Sequence, residues 1–420
     1  MRFFLKATLV ASLLAVIGLP VAVVIGLFLA LDDQPTLLRA AEVRPEAIAR
    51  AKRIVERNDP RRMQSGVLRS VVIGGEDLDT AFNYLAHQHA RGSAAVRLRE
   101  GAVSMAASLA LPANPFGRYL NLDAEFAEAE GLPQVRSLDV GRLHLPGFVA
   151  RRLVEWGIAK WSAQAGAAKA LAAIKQVSFR DGALMLIYEW DNALPASLTG
   201  MLLPAEDEAR LKAYQTLLFD LSRSSDRGAL PMERLLQAML LHAGQRGGDA
   251  AAENRAVLLS LALFVNGKGL GAVLPATRSW PKPAARHVTL AGRHDFAQHF
   301  AVSAALAATA GSPLSDAVGL FKEIDDSNGG SGFSFNDIAA DRAGTRFGEL
   351  ATSSRAGALK AQKIAPDLTA GQIFPRVDDL PEFMPASEFK RRFGGIGGVE
   401  YKRQMAEIER RVAALPVYRD

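Results

Sequence analysis

A long uncharged segment near the start of the chain constrains its fold more than any other feature. After the basic residues Arg2 and Lys6, no charged side chain occurs from Ala7 to Leu31, and the run ends at Asp32. A bilayer core about 30 Å thick needs about 20 helical residues, so this run is long enough to span it. The apolar part of a cleaved signal is shorter, about 7–15 residues. The sequence therefore predicts a transmembrane anchor over residues 7–31, with cleavage near Ala30 as the alternative.

The charges around this segment predict its orientation. Both basic residues precede it, so the positive-inside rule places residues 1–6 in the cytoplasm. The rest of the chain would then lie in the periplasm, as part of a single-pass inner-membrane protein of the cell envelope. A net charge of +6 on a surface that faces away from the cytoplasm favours anionic lipid or glycan over nucleic acid. We therefore predict the membrane and an envelope lipid or glycan as partners, and no nucleic acid.

The absence of cysteine and of several catalytic motifs excludes common classes of reaction. The chain contains no cysteine, which excludes disulfides, thiolate zinc sites and cysteine nucleophiles. It also has no H-E-x-x-H, G-x-S-x-G or P-loop motif in its usual context, so the common protease, esterase and nucleotide-binding functions have no support.

Hydrophobic periodicity divides the rest of the chain. Residues 32–65 are predicted as a helical stalk, because apolar residues recur at helical spacing in RPEAIARAKRIVERNDP. Residues 66–204 alternate in a way that predicts antiparallel strands, with turns at REG and RDG. Two helices interrupt these strands, at GEDLDTAFNYLAHQHA and at PGFVARRLVEWGIAKW. In the second helix, Val149, Leu153 and Trp156 form one apolar stripe.

The alternation ends at about residue 205. Residues 205–364 are predicted as a helical domain that carries a cluster of Asp, His and Glu, and AENRAVLLSLALFVNGKG is predicted as a buried helix, too short to span a bilayer. Residues 365–420 are predicted as a proline-punctuated segment followed by a basic terminal helix. The predicted fold class is α+β: a transmembrane helix, a curved antiparallel sheet with helices, and then an all-helical C-terminal domain.

The first half of the chain resembles a known family. An anchor and a short helix precede REGAVSMAASLALP, RYLNLDAEF and VRSLDVGRLHLPGFVARRLVE. This order is similar to that of the YpmS-like membrane-anchored envelope proteins. The resemblance implies an anchored protein with the same order of strands, and it implies no known chemistry.

The stretch GLFKEIDDSNGGSGFSFNDIAADRAG concentrates acidic residues around a glycine-rich turn and has three interpretations. As a calcium loop, it would place Asp326, Asn328 and Asp337 at the first, third and last ligand positions of an EF-hand. Two other positions depart from that pattern. Gly330 stands where a ligand side chain is needed, and Ser331 stands where the EF-hand has its invariant glycine.

The second interpretation is helix capping. Ser334 followed by Asp337 has the spacing of a capping box, in which the acid reaches back to a free backbone N–H. Asp295 is similarly predicted as the N-cap of DFAQHFAVSAALAA, with its carboxylate at the positive end of the helix dipole. The glycines would then supply turn conformations alone.

The third interpretation is a shared site. Asp295 and His299 are four residues apart and share a helix face, as do Asp337 and Asp341 on a later helix. Glu323 lies near the end of the helix predicted between these two. A histidine and several carboxylates would suit a divalent metal or a general acid–base pair. All five are predicted metal ligands. The predicted catalytic residues are His299, as base or metal ligand, Asp295, and Glu323, with His299 held by Asp295 or by another carboxylate.

The same residues resemble a second family. HDFAQHFAVSAALAA, SDAVGLFKEIDD and GGSGFSFNDIAADRAG follow in the order seen in YfiM-like envelope lipoproteins and, more distantly, in VanZ-like membrane proteins. The likeness covers roughly 50 residues and implies a shared site, although neither family has an established biochemical role. The positions that match are Asp295, His299, Lys322, Glu323, Asp337, Asp341 and Gly344.

Three functions remain open from the sequence. The first is a structural or binding role in the envelope, the second is a metal-assisted hydrolase or transferase acting on an envelope lipid or glycan, and the third is a calcium-stabilised structural module. An enzyme predicts carboxylates within about 5 Å of His299 in a concave pocket. A binding module predicts acids that point apart and a lipid-sized groove in the sheet domain.

Overall fold

The structure is a computed structural model that describes residues 19–58, 64–163, 167–191, 205–223, 228–272, 275–311, 318–319, 322, 326 and 331–419. The chain divides into two compact units, Met1–Glu42 with Glu56–Leu198 and Val43–Val55 with Thr199–Asp420. The first unit holds the antiparallel sheets, and the second is mainly helical. The α+β class predicted from the sequence is confirmed.

The described strands and helices have the following bounds. The strands are β1 Leu31–Asp32, β2 Leu68–Gly74, β3 Gly92–Arg99, β4 Ala102–Ala110, β5 Tyr119–Ala127, β6 Gln134–Val140, β7 Leu143–Leu145, β8 Ile174–Arg180, β9 Ala183–Glu189, β10 Leu230–Pro231 and β11 Val288–Thr289. The helices are α1 Leu19–Ala30, α2 Pro45–Arg57, α3 Gly75–Ala90, α4 Gly147–Ser162, α5 Ala167–Ala173, α6 Ala205–Ser222, α7 Met232–Arg246, α8 Ala250–Val265, α9 His294–Ala310, α10 Phe335–Thr352, α11 Arg355–Ile364, α12 Ala370–Ile373, α13 Ala386–Phe393 and α14 Val399–Ala413.

Antiparallel pairing joins the strands of the first unit into two sheets. One sheet runs in the order β3-β4-β5-β6-β7, with β1 beside β5, and the other runs β2-β9-β8. The turns predicted at REG and RDG are confirmed, since Arg99 pairs with Ala102 and Arg180 pairs with Ala183. Helix α3 packs against β3. The buried core of this unit is formed by Val96, Val103, Val177 and Phe179.

The end of α1 is bound to the turn between β6 and β7. Arg142 donates from its backbone N–H to the Leu29 carbonyl (2.7 Å) and from its guanidinium to the Phe28 carbonyl (2.6 Å). Gly141 has φ +57°, and a Cβ there would lie 2.6 Å from the carbonyl oxygens of Leu29 and Ala30. Only glycine allows the two backbones to approach so closely. The last turn of the predicted anchor is therefore fixed to the sheet unit.

The predicted anchor is only partly described. Residues 7–18 of it lie outside the described residues. In the part of the chain that the structure does describe, no helix has both the length and the apolar character to cross a bilayer. The predicted helical stalk over 32–65 is helical at α2, whereas the residues before α2 run along the sheet. There Arg39 forms a bidentate ion pair with Asp79 (2.7 and 2.8 Å).

A buried carboxylate ties three helices of the second unit together. Glu253 on α8 accepts hydrogen bonds from the Tyr214 hydroxyl of α6 (2.5 Å), from the Arg210 Nε of α6 (3.2 Å) and from the Arg246 Nε of α7 (2.9 Å). The buried helix predicted here is confirmed, because most of α8 is enclosed. Its N-terminus is capped by Asp249, whose carboxylate accepts from two backbone N–H groups.

Helices α9 and α10 pack closely against each other. Gly344 of α10 lies against α9, where an added Cβ would stand 2.2 Å from the Phe300 carbonyl oxygen. Residues 365–419 pack into the same hydrophobic core as these helices. Phe333, just before α10, stacks on Phe389 at 3.9 Å between ring centroids and exchanges two backbone hydrogen bonds with Met384. The later segment thus covers the start of α10.

Candidate functional site

Close packing of α9 and α10 brings four polar side chains together. His299 and Ser303 are one turn apart on α9, and Asp337 and Asp341 are one turn apart on α10. Asp341 Oδ1 accepts hydrogen bonds from His299 Nδ1 (3.1 Å) and from the Ser303 hydroxyl (2.8 Å). Asp337 Oδ2 lies 3.8 Å from His299 Nε2. All four residues are buried, so their interactions are weakly screened by solvent.

The other ring nitrogen of His299 contacts a lysine. Lys322 Nζ lies 2.9 Å from His299 Nε2, and it also donates to Asp326 Oδ2 at 2.9 Å. A hydrogen bond between two nitrogens holds one proton, so either the imidazole or the amine must accept. The side chain of Lys322 is half exposed, whereas Asp341 is buried. The result is a hydrogen-bonded path from a buried carboxylate to the surface.

The burial and charges at this site move two pKa values. Burial lowers the pKa of His299, but the carboxylates of Asp341 and Asp337 outweigh burial and the nearby Lys322 charge, and raise it to about 9. Burial raises the pKa of Asp337, while the His299 charge opposes that rise. Asp337 Oδ1 is buried and has no hydrogen-bond partner among the described residues. The site therefore pairs a protonated imidazole with a carboxylate that is available to accept a proton.

These side chains open onto a cavity of about 400 Å³. Its wall includes His299, Asp337 and Asp341, and also Asn266, Gln298 and Val302. The second oxygen of Asp341, Oδ2, is buried without a partner in the described part of the chain. Gly319 lies beside it, and a Cβ there would stand 2.7 Å from that oxygen. The carboxylates that the sequence analysis required near His299 do converge in a concave pocket.

Asp295 lies in the cavity wall but has a different role from the one predicted. Helix α9 begins at His294 with Arg293 as its N-cap, so the prediction that Asp295 caps this helix is wrong. Arg293 binds both oxygens of Asp295, at 2.5 and 3.1 Å, and also binds Glu382 at 2.7 Å. The Asp295 carboxylate thus pairs with the adjacent Arg293 guanidinium and does not hold His299. His299 is consequently held by Asp341, not by Asp295.

The predicted capping box at the start of α10 is also wrong in its hydrogen bonds. Ser334 is the N-cap residue, yet its side chain makes no capping bond. Its hydroxyl accepts instead from the Phe383 backbone N–H at 3.0 Å, because the later segment packs over this end of the helix. Asp337 is therefore not used as a cap and faces His299.

The metal predictions rest partly on residues beyond the described ones. Glu323 lies outside the described residues, as do Asn328 and Gly330 of the candidate calcium loop. Of that loop, Asp326 is bound to Lys322 and Asp337 faces His299. Within the ranges that the structure describes, no group of three or more His, Asp or Glu side chains has an arrangement suited to a metal ion.

Sequence reasoning missed two contacts at this site. Ser303 was not considered, although its position four residues after His299 places it on the same helix face. The hydrogen bond between Lys322 and His299 joins residues from separate parts of the chain. Lys322 was identified only through the family resemblance, and nothing in its local sequence indicates the contact.

Comparisons with family models, with curated proteins and with solved structures find no match to this chain. The resemblances to the YpmS-like, YfiM-like and VanZ-like families therefore stay predictions.

Proposed function

We propose that this is a membrane-anchored envelope protein whose helical unit carries a proton-transfer active site for hydrolysis or group transfer. The observation that carries the proposal is the buried arrangement of Asp341, His299 and Asp337 at the wall of a cavity of about 400 Å³. A carboxylate that orients a histidine, beside a second carboxylate with an unpartnered oxygen, is the material of general acid–base catalysis.

The membrane part of the proposal rests on α1 and the sequence before it. The run from Ala7 to Leu31 has the length of a bilayer span. Three of the described side chains of α1, Val23, Ile25 and Phe28, are apolar and about half exposed. Exposed apolar side chains along one helix are costly in water and favourable in lipid. The bonds from Arg142 to the end of α1 would then hold the sheet unit at the membrane.

The two groups nearest the cavity have complementary roles. Asp337 is the proton acceptor, because burial raises its pKa and one of its oxygens has no partner among the described residues. His299 is the proton donor, since Asp341 holds the imidazolium through Nδ1 and leaves Nε2 toward Asp337 and Lys322. The bond to Lys322 provides a route by which His299 exchanges protons with solvent.

The charges at the cavity wall favour one class of substrate. The two carboxylates of Asp337 and Asp341 stand against the imidazolium of His299, while Lys322 is paired with Asp326. Asp295 is already neutralised by Arg293. The cavity therefore disfavours a phosphate monoester and favours an uncharged ester or acetal, of the kind found in acylated lipids and glycans.

The proposal is tested by turnover of chromogenic substrates by the full chain in detergent. We expect hydrolysis of an uncharged nitrophenyl ester or glycoside in preference to nitrophenyl phosphate. H299Q and D337N should each lower kcat by about 100-fold or more with Tm retained. The matched control is D379N, because Asp379 is an exposed carboxylate paired with Arg411 away from the cavity.

Two outcomes would overturn the catalytic assignment. One is the absence of turnover for all three substrate classes, and the other is turnover that H299Q and D337N leave unchanged. Either result would favour the structural or binding role for the anchored protein.

A metal-assisted reaction is the second candidate, favoured by the one oxygen on each of Asp337 and Asp341 that has no hydrogen-bond partner among the described residues. Such oxygens are the ligands that Mg²⁺ and Ca²⁺ prefer. Turnover measured before and after dialysis against EDTA separates the two candidates. Activity lost with EDTA and restored by a divalent cation would support the metal, whereas unchanged activity would support acid–base catalysis alone.

A further inference from the structure

Helix α4 has an apolar stripe that the fold leaves exposed. The sequence predicts an amphipathic helix through Val149, Leu153 and Trp156, and a stripe of this kind normally packs against a core. In the structure, Leu153 is 46% exposed and Trp156 is 62% exposed, and Phe148 at the start of the helix is 75% exposed. An aromatic and aliphatic surface of this kind on one helix marks an interaction site.

Basic side chains lie around this stripe. Arg151, Arg152 and Lys160 are exposed, and Lys160 Nζ lies 5.1 Å from the centre of the Trp156 ring. The helix has one acidic residue, Glu155, which is 3.5 Å from Arg152. Three basic residues and one acidic residue give the helix a net charge of +2. Aromatic and aliphatic side chains beside Lys and Arg are the composition of helices that lie in a membrane interface.

The position of α4 in the fold points to the same occupant. Arg142, in the turn between β6 and β7, binds the carbonyl groups of Phe28 and Leu29 at the end of α1. Only residues 143–146 separate this arginine from the first residue of α4. The helix therefore begins close to the point at which the chain leaves the predicted anchor, where the bilayer surface would lie.

We propose that α4 is an interfacial helix that lies on the bilayer surface, with Phe148, Leu153 and Trp156 at the boundary between headgroups and acyl chains. Its three basic side chains bind the phosphates of anionic lipids. This inference rests on the anchoring part of the proposed function and is independent of the catalytic part. The consequence is a second membrane contact that fixes the orientation of the sheet unit and prevents it from turning freely about the anchor.

Site-directed spin labelling tests the inference, and the absence of native cysteine makes each label unique. The full chain carrying L153C is labelled and reconstituted into vesicles of phosphatidylcholine and phosphatidylglycerol. Accessibility to oxygen and to a water-soluble nickel complex then reports the depth of the label. We expect the label at position 153 to lie about 5–10 Å below the phosphates, with high oxygen and low nickel accessibility.

Two control labels separate failure of this inference from failure of the anchor. I25C lies in α1 and reports the anchor, and V399C lies on an exposed position of the helical unit and should remain accessible to nickel. Lipid exposure at 25 together with nickel exposure at 153 would overturn the inference and leave the anchor intact. Nickel exposure at both positions would overturn both.

The charge contribution has its own test. The double substitution R151Q/R152Q, made in the L153C chain, should lower the ratio of docked to undocked helix by about fivefold for each arginine. Replacing phosphatidylglycerol by phosphatidylcholine should act in the same direction. If spin–spin broadening at position 153 shows instead that a second copy covers the helix, the bilayer is the wrong occupant.

Discussion

Neutralising Asp341 should change how the stability of the helical unit depends on pH. Its carboxylate makes the largest favourable contribution to the protonated form of His299, whose pKa is raised from 6.5 to about 9. A raised pKa means that the folded state binds the proton more tightly than the unfolded state does. The stabilisation is therefore complete below pH 6.5 and is lost as the pH rises through about 9.

The size of the effect follows from the same two values. Each pH unit over which only the folded state holds the proton is worth about 1.36 kcal/mol. The interval from 6.5 to about 9 therefore corresponds to about 3 kcal/mol of unfolding free energy. We expect D341N to remove most of this pH dependence of the unfolding free energy, because Asp337 is then the one of the two carboxylates that still favours the imidazolium.

The assay is urea unfolding of the full chain in detergent between pH 6 and 10, followed by a dye attached to L359C. Leu359 is an exposed residue of α11, so the dye reports the helical unit and is the only thiol-linked group. H299Q should lack the pH-dependent component. D379N is the matched control and should retain it, because hydrogen bonding to Arg411 lowers the pKa of Asp379 to about 2 and keeps it ionised throughout.

Two results would refute the reasoning about His299. The first is a difference between wild type and H299Q that changes by less than about 1 kcal/mol across the interval. The second is an undiminished pH dependence in D341N, which would mean that Asp341 does not hold the imidazolium.

Three further substitutions test close contacts and buried hydrogen bonds of the fold. G344A should lower the Tm of the helical unit by an amount equivalent to about 1–3 kcal/mol, because its Cβ would meet the Phe300 carbonyl. The control G244A, on open helix surface, should be neutral or slightly stabilising, and equal Tm values for the two variants would contradict the close contact. E253A should cost about 3–5 kcal/mol in urea unfolding, since it removes the carboxylate that the buried Tyr214 hydroxyl and the Arg246 guanidinium bind and leaves Arg210 paired with Asp207. A cost below about 1 kcal/mol would contradict that role. G141A should release the end of α1 from the sheet unit, because its Cβ would meet the carbonyl oxygens of Leu29 and Ala30. Proteolysis after residue 30 should then be faster, and an unchanged cleavage rate would argue against this contact.

The parts of the fold that are local in sequence were predictable. Alternation and short glycine turns gave the hairpin of β3 and β4, because side chains on a strand alternate between two faces and REG supplies a tight turn. The helix caps were not predictable. The Asp295 carboxylate binds Arg293, only two residues away, and does not cap its helix. The Ser334 hydroxyl accepts a hydrogen bond from the backbone N–H of Phe383, which lies far along the chain.

His299, Asp337 and Asp341 of the candidate site were predictable from the sequence, whereas Ser303 and the pairing of the hydrogen-bond partners were not. The four-residue spacing of Asp337 and Asp341 correctly placed both on one helix face, since that spacing is about one turn. Which carboxylate would hold His299 depended on the close approach of α9 to α10 at Gly344, a contact between residues far apart in sequence. The exposure of Leu153 and Trp156 was similarly beyond periodicity, because periodicity identifies an apolar face and does not say what covers it.

The aromatic packing over the start of α10 has a consequence for the order in which this protein matures. Phe333 is held by Met384 and Phe389, and Asp337 follows it by one helical turn. As the chain is synthesised, α9 and α10 emerge before the residues that fix this turn, so the histidine and its carboxylates cannot take up their final geometry until residue 389 has also emerged. The geometry around Asp337 would thus form only after most of the chain has been synthesised.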